Sequence, residues 1–383
     1  MRVPTLNERI PTPISSAILG VATVVAFGLI FVSGHFMSNP GSALQLSIAS
    51  SSPKLVATAQ SAVTTATSSP KVTVVATTTS QGKVVAGVPV TELASPSIVS
   101  TTTLAARALA GSGADLLKSV VNIVCLSGNS SIPSISGSGV IIDSRGIILT
   151  AAHVAQLFLL QDYLGPSQVQ CIIRDGSPAR RAYTAEPIYV SPSWIKANPD
   201  TLETASPIGT GENDFAFLGI TGTATSTPVP SSFPYIPLAQ DDPQLNEPVA
   251  IGSYGAQYLT SAELNYDLYP IIVFGNVNAR YTFGTNTVDL ISVDGSAASQ
   301  EGSSGGGMVN AADELVGTIT TSSVNGSIAG RSLNAVTVGH MRRSFAVDMD
   351  GQSLDAYLAD NSVSTLIADF HTESNVLAQS IKY

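Results

Sequence analysis

Charge is scarce in this chain, and positive charge most of all. Only 11% of the 383 residues are charged, and 17 Lys and Arg stand against 27 Asp and Glu, a formal net charge of -10. No basic surface is available for a nucleic-acid backbone, so nucleic acid is excluded as a partner. Histidine and cysteine are nearly as rare, at four and two. Neither Cys125 nor Cys171 has a histidine cluster beside it, so no metal site is expected. What the chain has instead is 44% hydrophobic residues and 32 glycines. That mixture suits many short strands and turns around one large or two moderate cores, which favours an all-β domain.

The few histidines make the candidate chemistry easy to locate. His35 abuts an apolar run near the N-terminus, whereas His153 ends the strand-like Leu149-Thr150-Ala151-Ala152. Downstream, Asp214 opens a segment in which Phe215, Phe217 and their apolar neighbours read as a strand buried on both faces. Farther on, Ser304 lies in Gly302-Ser303-Ser304-Gly305-Gly306-Gly307. His340 and His371 follow that serine. A serine hydroxyl needs an imidazole to take its proton as it attacks a carbonyl, and the imidazole needs a buried carboxylate to fix its tautomer. His153, Asp214 and Ser304 supply these groups in that order. The glycines permit a tight turn whose backbone N–H groups, those of Gly302 and Ser304, converge as an oxyanion hole.

These segments resemble the trypsin-like, two-barrel serine proteases, and within them the HtrA/Deg group. The matching residues are Ser136-Gly137-Ser138-Gly139-Val140-Ile141-Ile142-Asp143, Gly146 to Val154, the DxAxL pattern at Asp214 and GSSGGG at Ser304. Glu247 to Gly252 and Leu315 to Ile319 also look like that family, and the resemblance covers roughly residues 115 to 345. It implies two six-stranded antiparallel β-barrels, no cofactor, and a polypeptide substrate cleaved through an acyl-enzyme. It also implies a first specificity pocket with Ala298 at its base and Thr320 to Ser322 as its wall. None of these residues is charged, so a small or medium apolar side chain is the expected occupant. Two positions depart from the family: Ser303 replaces the usual Asp or Asn before the nucleophile, and Gly307 replaces a proline. Without an acid at Ser303, the salt bridge that activates trypsin zymogens has no partner. A catalytically inactive, trypsin-like peptide-binding module on the outer face of a membrane is therefore the rival reading. No PDZ domain is expected, because fewer than about 40 residues follow the second barrel.

The glycine-rich turn also satisfies GxSxG, the nucleophile elbow of α/β-hydrolases. That fold would require Asp348 or Asp355 with His371 after the serine, and a parallel sheet that the sequence pattern does not support.

The remaining segments set the domain plan. Residues 1–13 read as a cytoplasmic N-terminus and 14–33 as a transmembrane signal anchor. The run from Ile14 to Val32 is uncharged, preceded by Arg2 and Arg9, and long enough to span a bilayer. A cleaved signal peptide is the alternative, since Ser42 and Ala43 follow. Residues 34–112 are rich in Ser, Thr and Ala and read as a disordered linker. The protease domain is expected over 113–345, with barrel one at about 113–225 and barrel two at about 238–345, and a single short C-terminal helix and tail over 346–383. This plan holds the protease domain outside the cytoplasm, periplasmic or extracellular. In such a compartment the two cysteines invite a disulfide. The resemblance implies that Cys125 and Cys171, on the first and fourth strands of barrel one, lie side by side; the alternative is two buried free thiols.

Overall fold

The computed structural model describes residues 101–204, 209–284, 286–322, 327 and 330–383. Their strands form two closed barrels. In the first barrel the strands are β1 (Val120–Ser127), β2 (Ile135–Asp143), β3 (Ile147–Thr150), β4 (Val169–Asp175), β5 (Arg180–Val190) and β6 (Ala216–Thr223), closing in the order β1-β2-β3-β6-β5-β4. In the second they are β7 (Pro248–Ser253), β8 (Ile271–Tyr281), β9 (Leu290–Asp294), β10 (Gly307–Val309), β11 (Leu315–Ser322) and β12 (Ser332–Thr337), in the order β10-β11-β12-β9-β8-β7. Every neighbouring pair of strands is antiparallel. This arrangement excludes the parallel sheet that the α/β-hydrolase alternative required.

Barrel one takes its shape from strands that are apolar on both faces. All four residues of β3 are buried, as are Ala216 to Ile220 of β6. One face fills the barrel and the other is covered by helices, so no polar alternation is needed. The β2–β3 turn brings Gly146 N to Asp143 O at 2.9 Å, with Gly146 at φ +88°. Cys125 and Cys171 sit directly opposite each other on β1 and β4 and are joined as a disulfide, with 4.0 Å between their Cα atoms. The connection between the barrels is stitched to both: Ile236 N donates to Ile141 O, and Leu315 N to Pro237 O.

The helices depart from the sequence reading in three places. Helix α1 (Thr101–Ser119) begins inside the stretch read as linker. Among its described side chains only Leu109, Ser112, Gly113, Leu116 and Ser119 are buried, too sparse an apolar face to announce its first turns. His153, expected at a strand end, lies in the first turn of α2 (Ala152–Leu164). The single C-terminal helix is in fact three: α5 (Val338–Asp348), α6 (Leu354–Asp360) and α7 (Val363–Ala378), which follow two shorter helices, α3 (Pro192–Ala197) and α4 (Ser261–Tyr266). Asp350 and Gly351, both at positive φ, end α5, and the Ser353 and Ser362 hydroxyls cap α6 and α7. Helix α7 packs on β5 and α2, placing Phe370 against Tyr189 in an aromatic cluster with Phe215, Phe217 and Phe345. The expected membrane span at 14–33 and most of the linker lie outside the described residues. Among the described residues no helix is long and apolar enough to cross a membrane.

Candidate active site

Helix α2 starts without a cap of its own, because Ala151 has no side-chain acceptor. A carboxylate from β6's entry supplies one: His153 N donates to Asp214 Oδ1 at 2.9 Å, and the His153 ring meets Asp214 Oδ2 through Nδ1 at 2.8 Å. The helix's need for an N-terminal acceptor and the imidazole's need for an orienter thus fall on one side chain. A carboxylate at Nδ1 assigns the proton to that nitrogen, which leaves Nε2 able to accept one. Asp214 is only 3% exposed, and it also accepts from the Thr320 hydroxyl of β11.

The electrostatics follow from this bonding. Burial works to push the His153 pKa down, but the charge of Asp214 and its hydrogen bond outweigh it and hold the imidazole above its ordinary value. Burial likewise works to raise Asp214, and the partners His153 and Thr320 keep it below the ordinary carboxylate value. His153 is therefore a better proton acceptor than free histidine, and Asp214 stays ionised.

The nucleophile turn is locked onto the end of β3. Ser138 N donates to Ser304 O at 2.7 Å, and Gly305 N to Ile319 O at 2.7 Å. Gly305 has φ +86°, and a Cβ there would collide with Ser138 O and Thr150 Oγ1, so no other residue fits against the strand that leads to His153. The turn therefore lies between Thr150–Ala151 on one side and Ile319–Thr320 on the other, where Asp214 is also held. Among the described residues no hydrogen bond joins the Ser304 hydroxyl to His153. Catalytic hydrogen bonds of this kind are often long without substrate and tighten when it binds.

The two departures at the turn have steric explanations. Ser303 is buried and its hydroxyl accepts from Ser253 Oγ at 3.1 Å, a neutral pairing where an acid would be an uncompensated charge. At Gly307 a Cβ would lie 2.6 Å from Leu315 Cδ1 and 2.8 Å from Val140 Cγ2, so these two side chains occupy the space a larger residue would need.

Ser138, to which the sequence assigned no role, ties the turn before Ser304 to the segment after β7. Its hydroxyl accepts from Tyr254 N and donates to Gly302 O, each at 2.8 Å. One residue earlier, Ala256 N holds Glu301 O at 2.8 Å. In a planar trans peptide the C=O and N–H point in opposite directions, so turning the Glu301 carbonyl toward Ala256 turns the Gly302 N–H away from it. That carbonyl is therefore held by Ala256, and the Gly302 N–H is left on the opposite side of the peptide.

The expected pocket residues are placed unevenly. Ala298 is fully buried in the core of the second barrel. Thr320, expected in the pocket wall, gives its hydroxyl to Asp214 instead. Ser322 ends β11 opposite Leu333. Two further features escaped the sequence reading. Behind the acid, His340 Nε2 lies 2.9 Å from Asn213 Oδ1, and His340 Nδ1 lies 3.2 Å from Asp289 Oδ1. At the start of β12, the guanidinium of Arg331 is buried beside Ser299. Neither residue stands in a recognisable motif. Among the described residues no three His, Cys, Asp or Glu side chains gather in a way that could hold a metal ion.

Residues 137–317 match the family model described as "Trypsin-like peptidase domain". No curated protein matches the sequence significantly. Solved structures similar to this chain include the active form of the Rv3671c protease from M. tuberculosis, at 16% identity and a TM-score of 0.40, covering 72% of this chain and 96% of that one. Another is the serine endoprotease from Yersinia pestis, at 21% identity and a TM-score of 0.38, covering 68% of this chain and 67% of that one.

Proposed function

We propose that this chain, whose residues 137–317 match a trypsin-like peptidase domain, is a serine endopeptidase that cleaves peptide bonds through an acyl-enzyme formed on Ser304. The observation that carries this reading is the 2.8 Å pairing of His153 Nδ1 with a buried Asp214 that Thr320 also holds. In the acylation step, His153 Nε2 takes the Ser304 proton as Oγ attacks the substrate carbonyl. The Gly302 and Ser304 N–H groups receive the oxyanion, and His153 then passes its proton to the leaving amine as the C–N bond breaks. Water deprotonated by the same imidazole releases the acid product and restores Ser304.

A fluorophosphonate probe tests this directly. Wild type should be labelled and a Ser304→Ala variant should not. Absence of labelling in wild type, or equal labelling of the variant, would overturn the peptidase reading and leave the inactive peptide-binding module.

The same proposal places the domain outside the cytoplasm on an anchor at residues 14–33. The Cys125–Cys171 disulfide supports this, since such bonds persist in oxidising compartments. Carbonate extraction of membranes, with digestion by an external protease of intact cells or spheroplasts, tests it. Release of the full chain by carbonate, or its protection from the external protease, would refute the placement.

A further inference from the structure

Arg331 is a buried cation without an anion. It is 5% exposed, and no Asp or Glu among the described residues lies within ion-pair distance of it. Its Nη1 donates to Gln257 Oε1 and to Ser299 O, both at 2.7 Å, and Nη2 reaches the Tyr258 hydroxyl only at 3.5 Å. Its Nε–H is buried with no partner at all. Burying a guanidinium against neutral acceptors while leaving a donor empty is costly, and such a group calls for an explanation, of which a ligand is one.

The unfilled donors identify the ligand. Nε–H and one Nη2–H point the same way along one edge of the planar guanidinium, and that edge binds a carboxylate through two parallel hydrogen bonds. The location identifies the source of the carboxylate. Ser299 lies five residues before Ser304 and directly after Ala298, the residue expected at the base of the specificity pocket. Gln257 and Tyr258 follow Ala256, whose N–H orients the oxyanion peptide. Arg331 lies immediately before β12, two residues from Leu333. Leu333 shares its core cluster with Ala298 and pairs with Ser322 at the end of the expected pocket wall.

Resting on the peptidase reading, we infer that Arg331 forms the floor of the primary specificity pocket and selects substrates with an acidic side chain, glutamate or aspartate, immediately before the scissile bond. The bound carboxylate takes the Nε and Nη2 edge of Arg331, while Gln257 and Ser299 O hold the Nη1 end in place. This replaces the expectation of an apolar occupant, which rested on Ala298, Thr320 and Ser322 alone.

The experiment uses the full chain and peptide–coumarin amides identical except for Glu, Asp, Gln, Ala, Val or Lys before the cleaved bond. In wild type, kcat/KM for Glu or Asp should exceed that for Gln by at least about tenfold, the scale of a charge-assisted pair in an enclosed site. In Arg331→Gln that ratio should fall to near one. A wild type that prefers Gln, Ala, Val or Lys, or an Arg331→Gln that keeps the acidic preference, overturns the inference. Calorimetry of Ser304→Ala with peptides ending in Glu or Gln reads the pocket without catalysis and without disturbing Arg331. Equal affinities refute the inference there as well. Wild type that resists the fluorophosphonate while Ser304→Ala binds the Glu peptide selectively would sink the peptidase reading and keep the pocket.

Discussion

Ser138→Ala is the sharpest test of how the oxyanion arm is held. The substitution removes one hydroxyl that accepts from Tyr254 N and donates to Gly302 O, each at 2.8 Å, in a fully buried position. Both backbone groups are then left without that partner, and a buried unpaired polar group costs about 1–3 kcal/mol. Loss of both bonds therefore destabilises the fold by about 2–6 kcal/mol, measurable as a lower urea midpoint with an unchanged m-value. The catalytic effect is separable. With its carbonyl released, Gly302 is free to rotate its peptides, and losing one oxyanion donor lowers kcat by about 100- to 1,000-fold at the limit. A fall in kcat of at least about tenfold with KM nearly unchanged is expected, because the interaction is made only in the transition state. Steady-state kinetics well below the unfolding transition provide the assay. Ser127→Ala, which removes a hydroxyl bonded to Asn129 O at the end of β1, is the control for a hydroxyl lost elsewhere. A Ser138→Ala enzyme that loses stability but keeps its kcat would refute the link between Ser138 and the oxyanion arm.

Asp214→Asn removes the charge that holds the His153 pKa up. The wild-type rate is lost as pH falls through that raised pKa. The variant's acid limb should therefore lie at lower pH, with kcat reduced by roughly 10⁴-fold because the imidazole loses its required tautomer; an unshifted limb in the pH–rate profile refutes the assignment. Asp289 is also depressed: burial opposes it, but hydrogen bonds from Arg343, Thr287, Phe283 N and Thr282 prevail. A depressed carboxylate contributes stability above its unfolded pKa and loses it as pH falls through the folded one. Asp289→Asn should therefore cost about 3 kcal/mol in neutral urea melts, with the difference from wild type shrinking toward strongly acidic pH; a pH-independent difference contradicts it. Reduction of Cys125–Cys171, 46 residues apart in sequence, should lower stability by about 4 kcal/mol in the loop-entropy account. An unchanged urea midpoint in the reduced protein refutes that figure.

The candidate residues His153, Asp214 and Ser304 stood out in sequence because each lies inside a short, recognisable run: apolar residues before His153, buried aromatics after Asp214, glycines around Ser304. The strands of β2, β3 and β6 were legible from continuous apolar stretches, although the closure into barrels came from the family resemblance and not from periodicity. Ser138 and Arg331 were not legible as functional. The Ser138 hydroxyl finds its acceptor 164 residues away at Gly302, and Arg331 finds Gln257 74 residues away. Such pairings exist only once strand register is set, and nothing local distinguishes these two residues from other serines and arginines. The first turns of helix α1 were hidden for a related reason: their Thr, Ala and Gly content matches a linker, and the helix's few buried residues gain their meaning from packing on β7; only its last turn, from Ala114, read as a helix leading into β1.

The long-range bonds share a geometry. Asp214 belongs to the first barrel through β6, yet one of its oxygens is held by Thr320 of the second. The preceding residue, Asn213, sits at φ +59° and meets His340 of α5. At the other end of α5, Asp348 accepts from Tyr189, Ser191 and Ser193 of the first barrel. His340 in turn faces Asp289, next to β9 of the second barrel. The acid is therefore fixed by polar contacts that span the two barrels, whereas the barrels are each closed by their own backbone ladders. A ladder tolerates substitution of its side chains, since its bonds are between backbone groups. Backbone bonds seat the Ser304 turn on both barrels, from Ser138 N to Ser304 O and from Gly305 N to Ile319 O, whereas the Asp214 carboxylate is held by His153 and Thr320 and the preceding Asn213 by His340. A site read from three motifs therefore also rests on Thr320 and His340, which lie outside them.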